Sequence, residues 1–289
     1  MLALPTLRRL AAAGYQLELV GKRWAPSLLE GTGWRVHPRP NATRAAIAQW
    51  RSLKRSVSAT APPAFLLTKS FSSAWEARLG GWRAFGYARD ARSFLLSTAV
   101  ALPRLAHASH AYWHLASAFL GGEAPYPTET SLLPSGRQAE RAASIIEAHG
   151  LATRPFIVLC PFSGADDRLQ AKVWPGFGDL NTRLAARGWA SVVCPGPGEE
   201  ARAAQQLPAS IQVPGLDLGV YAALLARAAG VVANDTGPGH LAAAVGARLV
   251  AVYGPKSVAA WAPLGARVTL LHPDAGWPSI DVVWDALRL

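Results

Sequence analysis

Cysteine is nearly absent: Cys160 and Cys194 are the two in 289 residues, each inside an apolar run that reads as a buried strand, with no metal-ligand spacing around either. A disulfide framework and a zinc module are thereby excluded, and both thiols are expected as reduced core residues. Long apolar runs are missing too. Stretches such as Phe65 to Leu67 and Leu249 to Tyr253 fall far short of the roughly 20 residues that cross a bilayer. The apolar start, Met1 to Leu10, has no basic residue ahead of it and no small-residue cleavage site after it, so no signal peptide is expected and a cytoplasmic location follows. No tandem repeat, low-complexity tract, helix-turn-helix, zinc finger or RNA-binding aromatic signature occurs, which argues against a nucleic-acid partner. No Gly-x-Gly-x-x-Gly follows any predicted strand, which argues against a dinucleotide oxidoreductase; no cofactor is expected.

What is present is bulk and an uneven charge. With 51% of its residues hydrophobic, a chain of this length suits two medium cores. Residues 1–133 hold 16 basic and 6 acidic side chains, whereas 134–289 hold 13 and 12. A field of that kind draws a polyanion or an anionic membrane surface to the first half; the bland alternative is an arginine-rich, solvated surface.

From Leu151 onward short apolar runs alternate with amphipathic segments, the pattern of βα units in a parallel sheet. Strands are expected at Phe156 to Cys160, Ala190 to Cys194, Gly230 to Ala233 and Leu249 to Tyr253, and helices at Phe177 to Arg187, Glu199 to Gln206, Gly219 to Ala228 and Gly239 to Val245. The first half repeats the rhythm less cleanly. Helices there are predicted at Leu4 to Ala13, Ala42 to Arg55, Ser72 to Leu79 and Ala106 to Leu120, with strands at Gln16 to Val20, Ala64 to Thr68 and Phe85 to Tyr87. The Gly- and Pro-rich segment Gly121 to Arg137 is the candidate linker between domains 1–133 and 134–289. Ligands of open parallel sheets bind at the carboxyl ends of the strands.

One such end carries the sharpest signal. The strand Gly230 to Ala233 runs into Asn234, Asp235, Thr236, Gly237, Pro238, Gly239, His240, then a helix. Unpaired amides and the dipole at a helix start favour a phosphate by roughly 0.3 to 2 kcal/mol. Gly237 and Gly239 keep side chains off the backbone, while Thr236 and His240 offer donors. The competing reading is a plain Asp/Thr cap with glycines for a tight turn.

The run Asn234 to Ala244, with Val250 to Pro255 and Trp261-Ala262-Pro263, closely resembles the ADP-heptose:lipopolysaccharide heptosyltransferases, glycosyltransferase family 9. Cys160 to Gly164 with Lys172, Val173, Trp174, Pro175 looks like the family's strand-end loop and Lys-x-Trp-Pro motif. Gly196, Pro197, Gly198, Glu199 looks like its Gly-rich turn ending in Glu, and Ser70 to Ala74 with Gly86, Tyr87 and Arg92 like its acceptor-domain helix and following strand.

The resemblance implies an α/β chain of the GT-B architecture: two facing Rossmann-like domains with parallel sheets, the first for the acceptor and the second for the nucleotide-sugar. It implies an inverting glycosyltransferase that moves heptose or a related sugar from an ADP-sugar to a phosphorylated lipopolysaccharide core acceptor, peripheral at the inner membrane. Lys172 would supply charge to the donor phosphates, Ser163 and the Gly164 amide would complete the cradle, and Glu199 would accept from ribose hydroxyls. Asp235 would cap the helix or hold neighbouring groups. Trp174 reads as core. No Asp-x-Asp motif occurs and Asp166-Asp167 has the wrong spacing, so no metal is expected.

The chain departs from the family at its start. Relatives open with a strand and a Gly-Asp turn ahead of a helix resembling Leu2 to Leu10, and that Asp is their proposed base. Here the first strand of the N-terminal domain and the base are missing, so the catalytic residue is unassigned. Truncation is the expectation; the alternative is a catalytically silent sugar-nucleotide or glycolipid binding protein. His107, His110 and His114 are conceivable substitutes but read as surface or packing residues of their helix.

Overall fold

A computed structural model of the chain describes residues 1–57, 63–162, 173–255 and 257–289. The first half runs α1 (Leu4–Ala12), β1 (Glu18–Gly21), α2 (Ala25–Leu28), β2 (Arg35–Pro38), α3 (Thr43–Ser56), β3 (Pro63–Leu66), α4 (Phe71–Leu79), β4 (Arg83–Tyr87), β5 (Thr98–Val100) and α5 (Ala108–Leu120). The second runs α6 (Gly136–Ala148), β6 (Phe156–Cys160), α7 (Phe177–Ala186), β7 (Ala190–Val193), α8 (Glu200–Gln206), β8 (Ile211–Gln212), α9 (Leu218–Arg227), β9 (Gly230–Ala233), α10 (Gly237–Ala244), β10 (Leu249–Val252), β11 (Val268–Leu271) and α11 (Ile280–Leu287). The fold is α/β with parallel sheets. Two compact units result: a C-terminal unit of residues 1–4, 27–33 and 128–289, and an N-terminal unit of 5–26 and 34–127. Thr128 to Leu133 and Ser27 to Gly33, which the sequence groups with the first half, thus belong to the C-terminal unit.

The C-terminal unit is built on one six-stranded parallel sheet in the order β11-β10-β9-β6-β7-β8. Strands β6, β7, β9 and β10 are buried along their whole length, which explains why they read as unbroken apolar runs: helices cover both faces. Ile157, Leu159, Val232 and Val250 from the sheet meet Leu180 and Leu184 of α7 in the core. Side chains cap several of the helices. Ser135 and Gln138 form a reciprocal capping box on α6, Asp217 accepts from the Gly219 and Val220 amides at the start of α9, and Ser279 caps α11. The capping box also corrects the linker, whose last residues, Gly136 and Arg137, are the first turn of α6.

In the N-terminal unit the strands form two separate parallel sheets, β1-β2 and β3-β4-β5. Both units share one connectivity. In the C-terminal unit α7 leads from β6 to β7, then to β8, and the chain returns to the other side of β6 to lay down β9, β10 and β11. In the N-terminal unit α1 leads to β1, then β2, and the chain continues into β3, β4 and β5. Among the described residues no strand pairs with both β1 and β3. Burial also differs between the units. All four residues of β1 are half-buried and Pro63 of β3 is exposed, whereas β7 and β9 are entirely buried. Strand edges with unpaired backbone groups open at low cost. Amides of β1 and β3 are therefore expected to exchange with deuterium well before those of β7 and β9; equal protection would show that another contact covers both edges.

Small apolar clusters hold the N-terminal unit together. Ala64, Leu66, Ala74, Ala77 and Trp82 pack in one, and Phe85, Tyr87 and Leu115 in another. The buried Arg92 donates from Nε to the Tyr87 carbonyl at 3.0 Å and from Nη1 to the Ser70 carbonyl at 3.0 Å, so it ties the start of α4 to β4. Gly86 leaves room for it, since a Cβ there would stand 3.0 Å from Nη2. Buried Glu76 pairs with Arg39 through two hydrogen bonds.

Candidate functional site

The order of the six-stranded sheet reverses at β6 and β9: the chain leaves β6 toward β7 on one side and returns to place β9 on the other. This is the topological switch point, where the loops after neighbouring strands diverge and leave a crevice. The loop after β9 is Asn234 to Thr236, followed directly by α10. The loop after β6 starts at Pro161.

Asn234 joins the two. It is fully buried. Its Nδ2 donates to the Pro161 carbonyl at 2.5 Å, and its Oδ1 accepts from the Trp174 amide at 2.9 Å. Pro161 and Trp174 flank residues 163–172 in sequence, so one side-chain amide holds a described residue on each side of that segment. Trp174 is fixed further: its Nε1 donates to the Pro278 carbonyl at 2.9 Å, and its ring meets Phe177 edge-on at 5.2 Å. It is only 2% exposed, a core residue as its neighbours in sequence suggest. Gly176 must be glycine beneath it, because a Cβ would lie 2.4 Å from the ring. Ser163, Gly164 and Lys172, the remaining cradle residues read from the sequence, lie outside the described residues.

The start of α10 is left open. Thr236 occupies the N-cap with extended backbone, φ −145° and ψ 165°, and its side chain makes no capping hydrogen bond. Its hydroxyl turns back toward the Asn234 carbonyl at 3.4 Å instead. The first amides of a helix have no partner within it, and Pro238 in the first turn has no N–H to satisfy. Gly237 faces open space, with nothing within 4 Å of where a Cβ would be. Gly239 is buried at the opposite side of the turn, its hypothetical Cβ 3.4 Å from both the Ala233 Cβ and the Asn234 carbonyl oxygen. His240 is half-buried in the same turn. Asp235 lies against the fully buried Tyr253 ring; burial, with the Asp235 charge beside it, holds that phenol far above its ordinary range.

Glu199 follows β7 and stands at the N-cap of α8. Its Oε2 accepts from the Gly196 amide at 2.9 Å, closing the Gly-rich turn on itself, and its Oε1 is 3.8 Å from Arg202. The Arg202 guanidinium lies 4.4 Å over the Phe162 ring, which links this turn to the loop after β6. Behind the sheet ends, the Cys160 thiol meets the Tyr221 hydroxyl at 3.1 Å, and burial pushes its pKa up to about 12. That cysteine is an inert core group, as expected.

Asp235 to His240 therefore form one turn at the switch point, exposed at Gly237 and buried at Gly239, and Glu199 follows β7, with β6 between β7 and β9. Sequence reasoning named these residues and missed what fixes them. Asn234 bonds to partners 73 and 60 positions away, and Arg202 reads as an ordinary helix-surface arginine.

The model of glycosyltransferase family 9 (heptosyltransferase) matches residues 50–282 of the chain. The chain belongs to glycosyltransferase family 9. Within that family it is 34% identical over 135 residues to lipooligosaccharide heptosyltransferase 2 of Haemophilus influenzae, a match covering 42% of this chain and 38% of that relative. Fold similarity extends further. The E. coli ADP-heptose lipopolysaccharide heptosyltransferase II superposes with a TM-score of 0.78 at 22% identity, over 100% of this chain and 94% of that one. A family 9 structure from Veillonella parvula gives 0.81 at 19% identity, over 94% and 82%. An E. coli heptosyltransferase solved with ADP gives 0.74 at 22% identity, over 99% and 94%. Among the described residues no helix is long and apolar enough to cross a membrane.

Proposed function

We propose that this family 9 chain is an inverting glycosyltransferase that carries heptose or a related sugar from an ADP-sugar to a phosphorylated lipopolysaccharide core acceptor. The observation that carries this reading is the first turn of α10: a helix start at the switch point, uncapped by a side chain and open over Gly237. A diphosphate suits it, because amide donors and the helix dipole act there and the N-cap Thr236 side chain does not bond to those amides. In the reaction an acceptor hydroxyl attacks the anomeric carbon from the face opposite the diphosphate. The carbon–oxygen bond to the diphosphate breaks, a base takes the hydroxyl proton, and ADP leaves carrying the bonding pair. The α10 amides, His240 and Lys172 supply the positive field that the leaving group needs. Glu199, whose Oε2 accepts from the Gly196 amide, accepts from the ribose hydroxyls in this reading. The basic excess of the first half draws the phosphorylated acceptor and the anionic inner face of the inner membrane, with the protein peripheral on the cytoplasmic side.

Removing one charge-assisted hydrogen bond costs roughly 1.5 kcal/mol, about tenfold in affinity. Lys172→Ala and His240→Ala are each expected to weaken ADP-heptose binding about five- to tenfold by calorimetry, with NAD failing to bind the wild type. Unchanged affinity in both variants would remove the phosphate assignment.

A second reading, donor binding without turnover, is favoured by one observation: the histidines available to act as a base are engaged in structure. His107 caps α5 through the Ser109 amide, and His110 stacks on Tyr126 at 3.9 Å. The Tyr87 hydroxyl donates to the Ala111 carbonyl at 2.6 Å, so His114 Nδ1, 2.9 Å away, serves as donor to that oxygen. Release of ADP in the presence of a heptose-deficient core acceptor separates the two readings: binding with no release supports the silent one.

A further inference from the structure

One apolar patch of the N-terminal unit is not used by its cores. Phe71, Trp75 and Leu79 follow one another at one-turn intervals along α4 and are 40%, 39% and 39% exposed; Phe94 is 72% exposed. The aromatic rings touch each other: Phe71 stacks on Trp75 with centroids 6.2 Å apart and meets Phe94 at 6.1 Å. Large aromatics gathered on a surface mark a binding face, whereas scattered ones do not.

The charges around the patch identify what it binds. Residues 39–104 contain eleven basic side chains and two acidic ones, Glu76 and Asp90. Glu76 is buried and neutralised by Arg39, which leaves Asp90 as the one exposed acid of this stretch. Arg78 lies on the same helical face as Phe71, seven positions on, and is exposed. Arg51 reaches the end of that face, its Nε donating to the Leu79 carbonyl at 3.3 Å. Lys69 precedes Phe71 by two residues and the exposed Arg89 precedes Phe94 by five.

We propose that the α4 face formed by Phe71, Trp75, Leu79 and Phe94 is a docking surface for an anionic lipid bilayer. Trp and Phe bodies settle at the boundary between head groups and acyl chains, where an amphipathic ring is better solvated than in water. A basic rim adds attraction to anionic head groups, about fivefold in partitioning per side chain at the surface. A helix with an apolar stripe and a basic flank lies in the plane of the interface rather than across it. The inference rests on the acceptor class proposed above, since an amphiphilic acceptor is presented at such a surface, and it gives the N-terminal unit a way to meet it.

The test uses the full chain and sedimentation with large unilamellar vesicles, either phosphatidylcholine alone or phosphatidylethanolamine with about a quarter phosphatidylglycerol. Wild type is expected to bind the anionic vesicles in a salt-sensitive manner. Trp75→Ser/Phe94→Ser is expected to lower that partitioning at least about tenfold, and Arg51→Glu/Arg78→Glu to lower it comparably on anionic vesicles while leaving phosphatidylcholine unaffected. Thermal melts establish that both variants fold. ADP-heptose affinity, measured on the same preparations, should be unchanged, so failure of donor binding in the wild type and failure of docking are read separately. Equal vesicle binding by wild type and the aromatic variant would overturn the proposal. So would a wild-type dimer in sedimentation velocity that the aromatic variant dissociates without loss of vesicle binding.

Discussion

Asn234→Ala is expected to lower the stability of the C-terminal unit by about 2 to 4 kcal/mol and to abolish most donor binding. The truncation leaves the Trp174 amide and the Pro161 carbonyl without their partner. Trp174 is buried to 2% exposure, and each buried polar group left unsatisfied costs roughly 1 to 3 kcal/mol. Water entering the vacated space recovers part of that, which is why the sum is set below its maximum. The functional loss has a separate cause. The two residues this amide holds, Pro161 and Trp174, flank the segment with Ser163, Gly164 and Lys172 in sequence, and misplacing a binding group by an ångström is costly. Urea denaturation measures the first effect and calorimetry with ADP-heptose the second. Asn234→Asp sharpens the test: it keeps the acceptor for the Trp174 amide but sets a carboxylate oxygen against the Pro161 carbonyl, so it should be no more stable than the alanine variant. A wild-type urea midpoint for Asn234→Ala would mean the clamp carries no energy.

Gly237→Val is expected to show the opposite balance: a stability loss of about 1 kcal/mol or less, from helix propensity and the crowding of a residue before proline, and ADP-heptose binding weakened at least about tenfold. Beyond its chain neighbours and its own helix backbone, no atom lies within 4 Å of a Cβ at Gly237, so the strain of the new side chain comes chiefly from Pro238, which crowds a Cβ on the helical residue before it. The valine side chain occupies the approach to the first amides of α10, which is where a diphosphate must come to be bound. A tenfold loss corresponds to about 1.4 kcal/mol, roughly one hydrogen bond to a charged group. Gly239→Val serves as the contrast. Its Cβ starts 3.4 Å from Ala233 and the Asn234 carbonyl, so it should cost stability as well as affinity. Full affinity in Gly237→Val would place the donor elsewhere on the sheet.

Composition and pattern determined a good deal. The alternation of apolar runs with amphipathic segments was enough to specify a parallel α/β chain, and β6 and β9 fall where those runs predict them, Phe156–Cys160 and Gly230–Ala233, because a strand covered on both faces has to be apolar throughout. The Asp235 to His240 turn was legible for the same reason: a strand end, two glycines and a helix start are adjacent in sequence, so their meaning is local. Short and half-exposed elements were not legible. Arg35–Pro38 and Ile211–Gln212 are strands because neighbours pair with them, and Gly136–Ala148 is a helix whose cap, Ser135, sits inside a stretch that composition marks as a linker.

Tertiary structure alone decided the remainder. It put Asn234 between Pro161 and Trp174 and set Arg202 over Phe162, contacts whose members are 40 or more positions apart and leave no spacing to read. It also divided the strands of the N-terminal unit into two sheets, a fact of pairing rather than propensity. Sequence fixes what is periodic or contiguous, since those features act through local geometry. Which distant groups satisfy one another's hydrogen bonds depends on how the sheet orders its strands.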